Sequence, residues 1–157
     1  MDAILMALAT GFGLGLSPWA SGTAGSLAGL PLAWWLLGRT RRVQVAVTLA
    51  LLIAAVPVCH LAEQTLGGKD DGRIVLDEIV AFPVAVLGLT AARQPWAMAS
   101  AFVVYRVFDG AKPPPVNLAE AVPGGAGIVL DDVVAAAMTW LVMAFGLMLW
   151  RRRQASP

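Results

Sequence analysis

Residues 43–62, VQVAVTLALLIAAVPVCHLA, and residues 133–150, VVAAAMTWLVMAFGLMLW, decide the fold. Neither carries a Lys, Arg, Asp or Glu, and each reaches the roughly 17 to 20 apolar residues that a helix needs to cross a bilayer core of about 30 Å. Both are therefore read as full membrane spans. Trp150 runs directly into Arg151, Arg152 and Arg153, and Trp34 and Trp35 precede Arg39, Arg41 and Arg42. An aromatic pair followed by cations is the pattern of an interfacial belt with snorkelling side chains. The two arginine ends are expected in the same water phase.

Composition agrees. Of 157 residues 59% are apolar and 13% charged, against about 25% charge in an ordinary soluble domain. That excludes a soluble globular class. The length suits one domain over residues 1–157, with 151–157 as a basic C-terminal tail. A formal net charge of +1 offers no electrostatic footprint for nucleic acid. No Lys or Arg precedes Arg39, so the start of the chain lacks the basic opening of a secretory signal and is kept as mature protein. Cys59, the one cysteine, reads as a buried small hydrophobe.

Shorter apolar pieces occupy residues 4–16, 26–37, 79–92 and 96–108. At 1.5 Å per residue each covers about 20 Å, too little for a crossing, so they are expected as re-entrant, tilted or protein-buried helices. No run alternates apolar and polar residues between hairpin turns, as a barrel would require. The expected fold is an all-α, membrane-embedded bundle with two full spans and several short helices.

If both long segments cross, residues 63–78 and 109–132 meet on the other side, and nine of the ten acids lie there: Glu63, Asp70, Asp71, Asp77, Glu78, Asp109, Glu120, Asp131 and Asp132. A loop between membrane helices is polar in any case, which accounts for Glu63, Asp71 and Glu120. The pairs Asp77-Glu78 and Asp131-Asp132 instead open apolar runs. One acid at a helix start is favoured by the macrodipole; two at each of two helices exceed what capping needs. Successive helical residues point about 100° apart, so each pair can aim one carboxylate inward. Two facing pairs offer hard oxygen ligands of the kind Mg²⁺ takes together with water and substrate phosphate. His60 and Cys59 are the only nitrogen and sulfur candidates, which disfavours softer metals.

Lys69, Arg73, Arg106 and Lys112 stand among these acids. Arg106 and Asp109, three apart, share a helix face, either as a surface ion pair or as a guanidinium fork set for phosphate beside a carboxylate. Pro113, Pro114 and Pro115 stop that helix and fix where Lys112 points. Glycine-rich stretches at residues 22–26 and 124–127 are expected before the adjoining helices, where backbone N–H groups can approach an anion; Gly22 and Thr23 are phosphate-binding candidates. Neither is a P-loop, for want of Gly-Lys-Ser/Thr.

Several phosphate chemistries fail on arithmetic. One histidine cannot be both nucleophile and acid, and position 65, six after Cys59, is Thr where a cysteine phosphatase has Arg. There is no Asp-x-Asp pair for an aspartyl-phosphate. Asp71-Gly72 lacks the Ala-Arg continuation of the lipid head-group transferases. Metal-activated water attacking phosphorus remains.

Four stretches, SGTAGS at 21–26, IVLDE at 74–78, YRVFDGAKP at 105–113 and GGAGIVLDD at 124–132, in this order and spacing resemble the phosphatidylglycerophosphatase A family of bacterial membrane lipid phosphatases. The resemblance implies an all-helical membrane protein and Mg²⁺-dependent hydrolysis of phosphatidylglycerophosphate to phosphatidylglycerol. It places Asp77, Glu78, Asp109, Asp131 and Asp132 around the metal as ligands or base, the metal ligands being Asp77, Glu78, Asp131 and Asp132. Arg106 and Lys112 come near phosphate, and Asp70 is a further candidate. Ser21, Ala81 and Tyr105 stand where members of the family often have Pro, Gly and Phe; none of these changes removes a charged group. The implied location is the inner membrane with the active face cytoplasmic. The cation count points the other way, six arginines at the arginine end against four cations among the acids. A small cation-coupled transporter is the alternative class, but such proteins show internal repeats and acids at mid-helix, and neither is present.

Overall fold

The computed structural model describes residues 2–18, 20–68 and 71–155, and all regular structure among them is helical. Seven α-helices follow in order: α1 Asp2–Ala9, α2 Ser21–Leu37, α3 Arg41–Leu66, α4 Leu76–Ala81, α5 Pro95–Ala111, α6 Val116–Glu120 and α7 Gly125–Ala155. Three 3-10 turns, Leu14–Leu16, Phe82–Val86 and Thr90–Arg93, join them. At 26 and 31 residues, α3 and α7 measure about 39 and 46 Å, enough to cross a bilayer, and both are apolar enough to do so. The other helices, of 17 residues or fewer, reach about 25 Å at most.

Helix α7 is the spine. On one side it packs α5 and the turn Phe82–Val86, around Phe82, Ala97, Ala101, Tyr105, Ala135 and Ala136; on the other it packs α3 and α4, around Ala55, Cys59, Ala62, Val80, Ile128 and Val129. Alanines at these seams let backbones approach, which matters where lipid supplies no hydrophobic drive between helices. Large apolar side chains point outward instead, among them Ile53, Val103, Leu141 and Phe145.

Element boundaries depart from the sequence expectation in five places. The glycine stretch at 22–26 is not a loop but the first turns of α2, and α7 is already helical at Gly125. Asp131 and Asp132 therefore stand in the second turn of α7, whereas Asp77 and Glu78 are in the first turn of α4. Residues 79–92 are not one helix. Pro83 and the left-handed Gly88 (φ 72°) break the segment into α4 and two turns. The freed backbone is satisfied by a buried and a half-buried side chain: Gly88 N–H donates to Gln44 Oε1 (2.9 Å) and Trp140 Nε1 donates to the Leu87 carbonyl (2.8 Å). Irregular backbone is tolerated at membrane depth only on such terms. Residues 4–16 likewise divide, with α1 ending at Ala9 and three successive left-handed residues, Gly11, Phe12 and Gly13, leading to the turn Leu14–Leu16. Finally, Arg151 to Arg153 do not form a tail; they continue α7.

The arginine ends do come together. Arg39 lies over the Trp35 ring and Arg93 over Trp34, at 4.6 and 4.2 Å, and Trp96 meets Trp150 edge-on at 5.2 Å. Arg93 thus joins the six arginines counted from the sequence.

Candidate active site

At the opposite end the helices converge on a cavity of about 260 Å³ lined by Ser21, Gly22, Gly72, Ile74, Asp77, Glu78, Arg106, Asp109, Gly110, Lys112, Asp131 and Asp132. Five carboxylates from three helices, α4, α5 and α7, share it. Asp77, Asp109, Asp131 and Asp132 are buried, a burial that acids tolerate only with compensating partners.

For Asp109 and Asp131 those partners are the two predicted phosphate cations, whereas Asp132 accepts from Tyr105 and Asp77 from the Glu78 backbone N–H. Arg106 Nη1 donates to Glu78 Oε1 (3.1 Å), to Ser26 Oγ (3.3 Å) and to Asp109 Oδ2 one helical turn on. Burial works against the guanidinium charge, but Asp109 and then Glu78 more than offset it and hold its pKa above the usual range. Lys112 is placed by the end of α5: it takes the left-handed conformation (φ 43°) at the cap, before the three prolines. Its Nζ bridges Asp131 Oδ2 (2.9 Å) and Glu120 Oε1 (3.0 Å). Tyr105, fully buried, donates its hydroxyl to Asp132 Oδ1 (2.6 Å). Burial first, and then the facing Asp132 charge, keep that hydroxyl protonated well above the ordinary tyrosine range. The backbone N–H of Glu78 and of Asp132 donate to the carboxylates of Asp77 and Asp131 (2.9 and 3.0 Å), which orients the first acid of each pair.

Close helix approach forms the cavity wall. A Cβ on Gly22 would lie 2.2 Å from Glu78 Oε1, and one on Gly25 would lie 2.7 Å from the Val75 Cβ. The glycines of α2 therefore bring that helix against α4 and Glu78. They stand in the first turns of a helix, where the sequence suggests a loop. Gly22 lines the cavity and Thr23 does not; Ser21 does. Asp70 and Lys69 fall outside the described residues. Asp71 sits in the adjoining loop, where the Arg73 side chain bonds it and pulls its pKa down to about 2 against the opposing effect of burial. Ser26, Tyr105 and Glu120 were not singled out from sequence as site residues. A readable signal existed for Ser26, one turn after Gly22 on the same face, and for Tyr105, the chain's one tyrosine, beside Arg106.

The donor set is oxygen only, and its five acids outnumber its two cations, a surplus that a hard divalent ion relieves. Among the described residues no three acidic, His or Cys side chains converge on one point as a ready cage. Mg²⁺ does not need one, since it commonly binds through one or two carboxylates and completes its shell with water and phosphate. The residues present fit such an ion.

A family model described as phosphatidylglycerophosphatase A matches residues 7–147. The chain belongs to the phosphatidylglycerophosphatase A family. It is 34% identical over 139 residues to phosphatidylglycerophosphatase A of Escherichia coli (strain K12), which covers 88% of this chain and 80% of the relative. To the protein of the same name from Haemophilus influenzae it is 35% identical over 150 residues, 91% of this chain and 88% of the relative. A Bacteroides thetaiotaomicron protein provisionally named a phosphatidylinositol-3-phosphatase is 32% identical over 143 residues, 87% of this chain and 89% of that protein. No solved structure matches. As a member of the phosphatidylglycerophosphatase A family the chain is a phosphoric monoester hydrolase, and all four motifs that carried the resemblance fall within the matched residues.

Proposed function

We propose that this chain hydrolyses phosphatidylglycerophosphate to phosphatidylglycerol and phosphate, with Mg²⁺, at the cytoplasmic face of the inner membrane. The observation that carries the reading is the depth of the five-carboxylate, two-cation cavity. Counting from the tryptophan and arginine end, Val43 to Glu63 and Trp150 to Asp131 each span about 28 to 30 Å, the thickness of the hydrocarbon core. The acids thus stand where acyl tails end and a phosphomonoester begins.

Asp77, Asp131 and Asp132 would hold Mg²⁺, with Glu78 beside them; once bound it supplies a lowered pKa for attacking water and neutralises phosphoryl oxygens. Arg106 and Lys112 bind the phosphoryl group, exchanging carboxylate partners for phosphate oxygens and meeting the charge that develops in the transition state. Asp109, against Arg106, orients water and takes its proton. The water oxygen bonds to phosphorus, the bond to the glycerol oxygen breaks, and that oxygen leaves with the proton that Asp109 took from the water. Tyr105 holds Asp132 in place from behind.

Phosphate release from bilayer phosphatidylglycerophosphate is expected with Mg²⁺ and not with a chelator, and Asp131→Asn is expected to lose about a hundredfold or more of the rate, as removal of a charge-stabilising group does. Equal rates with metal and with chelator would sink the metal role. The provisional name of the Bacteroides relative makes phosphatidylinositol 3-phosphate the second lipid to assay. For sidedness, a Leu118→Cys variant in a Cys59→Ala background should resist an impermeant thiol reagent in intact cells; modification there would reverse the orientation.

A further inference from the structure

Phe12 combines three properties that rarely coincide. It is 84% exposed, it is large and apolar, and it adopts a left-handed backbone (φ 57°) between two glycines that do the same. A bulky residue avoids that region unless its surroundings enforce it. Here they do. Gly11 packs so closely on Val75 and Ile79 that a Cβ would lie 2.8 Å from the Ile79 side chain; Gly15 lies against the Arg73 carbonyl, leaving 2.0 Å for a Cβ; and the Val75 N–H donates to the Ala9 carbonyl (2.9 Å). The loop is thus fastened on both flanks to residues 73–75, next to the cavity-lining Gly72, Ile74 and Asp77. With its base fixed there, Phe12 projects outward, and Leu14 and Leu16 are exposed beside it.

We infer that this loop is an acyl-chain contact of the lipid-facing cavity rim: Phe12, with Leu14 and Leu16, enters the boundary between hydrocarbon and head groups of the leaflet that presents the substrate. The occupant follows from level and continuity. Residues 73–77 sit at the height of Asp131, about 28 Å along α7 from Trp150, so a side chain projecting at that height meets lipid at the ester level. An apolar group there gains from burial in the interface what it would lose in water. The inference rests on the lipid-phosphatase reading for its role in turnover and on geometry alone for the insertion.

Two measurements separate these. A nitroxide on Phe12→Cys, in a Cys59→Ala background in nanodiscs of phosphatidylethanolamine and phosphatidylglycerol, is expected to collide more with oxygen than with a water-soluble nickel chelate, as a label at the lipid-facing Phe145 does. Preference for the nickel chelate would overturn the insertion, whatever the enzyme's activity. In turnover, Phe12→Asp is expected to lower kcat/KM on bilayer phosphatidylglycerophosphate about tenfold while leaving a short-chain, water-soluble phosphomonoester within about twofold. An equal loss on both substrates would place the residue in the catalytic machinery or the fold and overturn the rim role. Phe12→Gly controls for folding: it suits the left-handed backbone and should raise thermal stability, yet lose rate on the bilayer substrate as Phe12→Asp does. Retained bilayer activity in Phe12→Gly would count against the contact.

Discussion

A single methyl group at Gly22 tests how the site is assembled. Its Cβ would meet the ends of two flexible side chains, Glu78 Oε1 at 2.2 Å and Arg106 Nη2 at 3.1 Å. Those can swing aside, so Gly22→Ala should leave thermal unfolding nearly unchanged while Arg106 loses its set position; a tenfold or greater fall in kcat/KM is expected, at the scale of about 1.4 kcal/mol per decade. Activity equal to the parent would show that Arg106 is not held by this wall. The cations carry a paired expectation. Arg106→Lys keeps the charge but loses the planar guanidinium whose Nη1 bonds Glu78, Asp109 and Ser26 and whose second nitrogen is left to meet phosphate, and a point charge does not replace that donor set. Its KM for the lipid should rise, as substrate titration would show.

Among the elements, the joint between α7 and α3 leaves no room for a methyl group. A Cβ on Gly125 would lie 2.2 Å from the Val56 carbonyl oxygen and 2.5 Å from the His60 nitrogen, both backbone atoms of a membrane helix. Neither can step aside without moving α3. Gly125→Ala should therefore destabilise by about 1 to 3 kcal/mol, the usual cost of overpacking, read as a lower unfolding midpoint in detergent; Gly110→Ala, which has open space, serves as the control. The loop before α4 offers a pH test. Asp71 has a folded pKa of about 2 against an ordinary 3.8, so its pairing with Arg73 favours the folded state fully above pH 3.8, and that contribution disappears as pH falls through about 2. A carboxyl titration followed by NMR should find this low midpoint in the parent and a value near 3.8 in Arg73→Ala.

Over the whole molecule, charge is sorted by end. Seven arginines and the Trp34, Trp35, Trp96 and Trp150 belt stand at one, and the cavity with its rim of acids at the other. In a Cys59→Ala background, Arg42→Cys and Leu118→Cys are therefore expected to react with an impermeant reagent from opposite sides of a sealed membrane. Labelling of both from one side would mean that α3 and α7 do not cross. A near-neutral total thus conceals a molecule whose charge is sorted along its two long helices, with seven arginines at the end away from the cavity.

Much of this was legible in the residues themselves, because the properties involved are local. Two charge-free runs of bilayer length, arginines after tryptophans and acids gathered in two segments follow from the chain's transfer preferences, and these do not depend on which helix meets which. The all-helical class, the two spans and the identity of the acids and cations in the cavity therefore came from sequence. What only the tertiary structure decided is who touches whom: that Arg106 is shared between Glu78 and Asp109, that Lys112 bridges Asp131 and Glu120, and that Tyr105 stands behind Asp132. It also decided that the glycines of α2 make a helix seam and not a loop. Glycine costs a helix about 1 kcal/mol locally, which reads as a turn in isolation; the close packing of α2 on α4, visible only when both are in place, outweighs it.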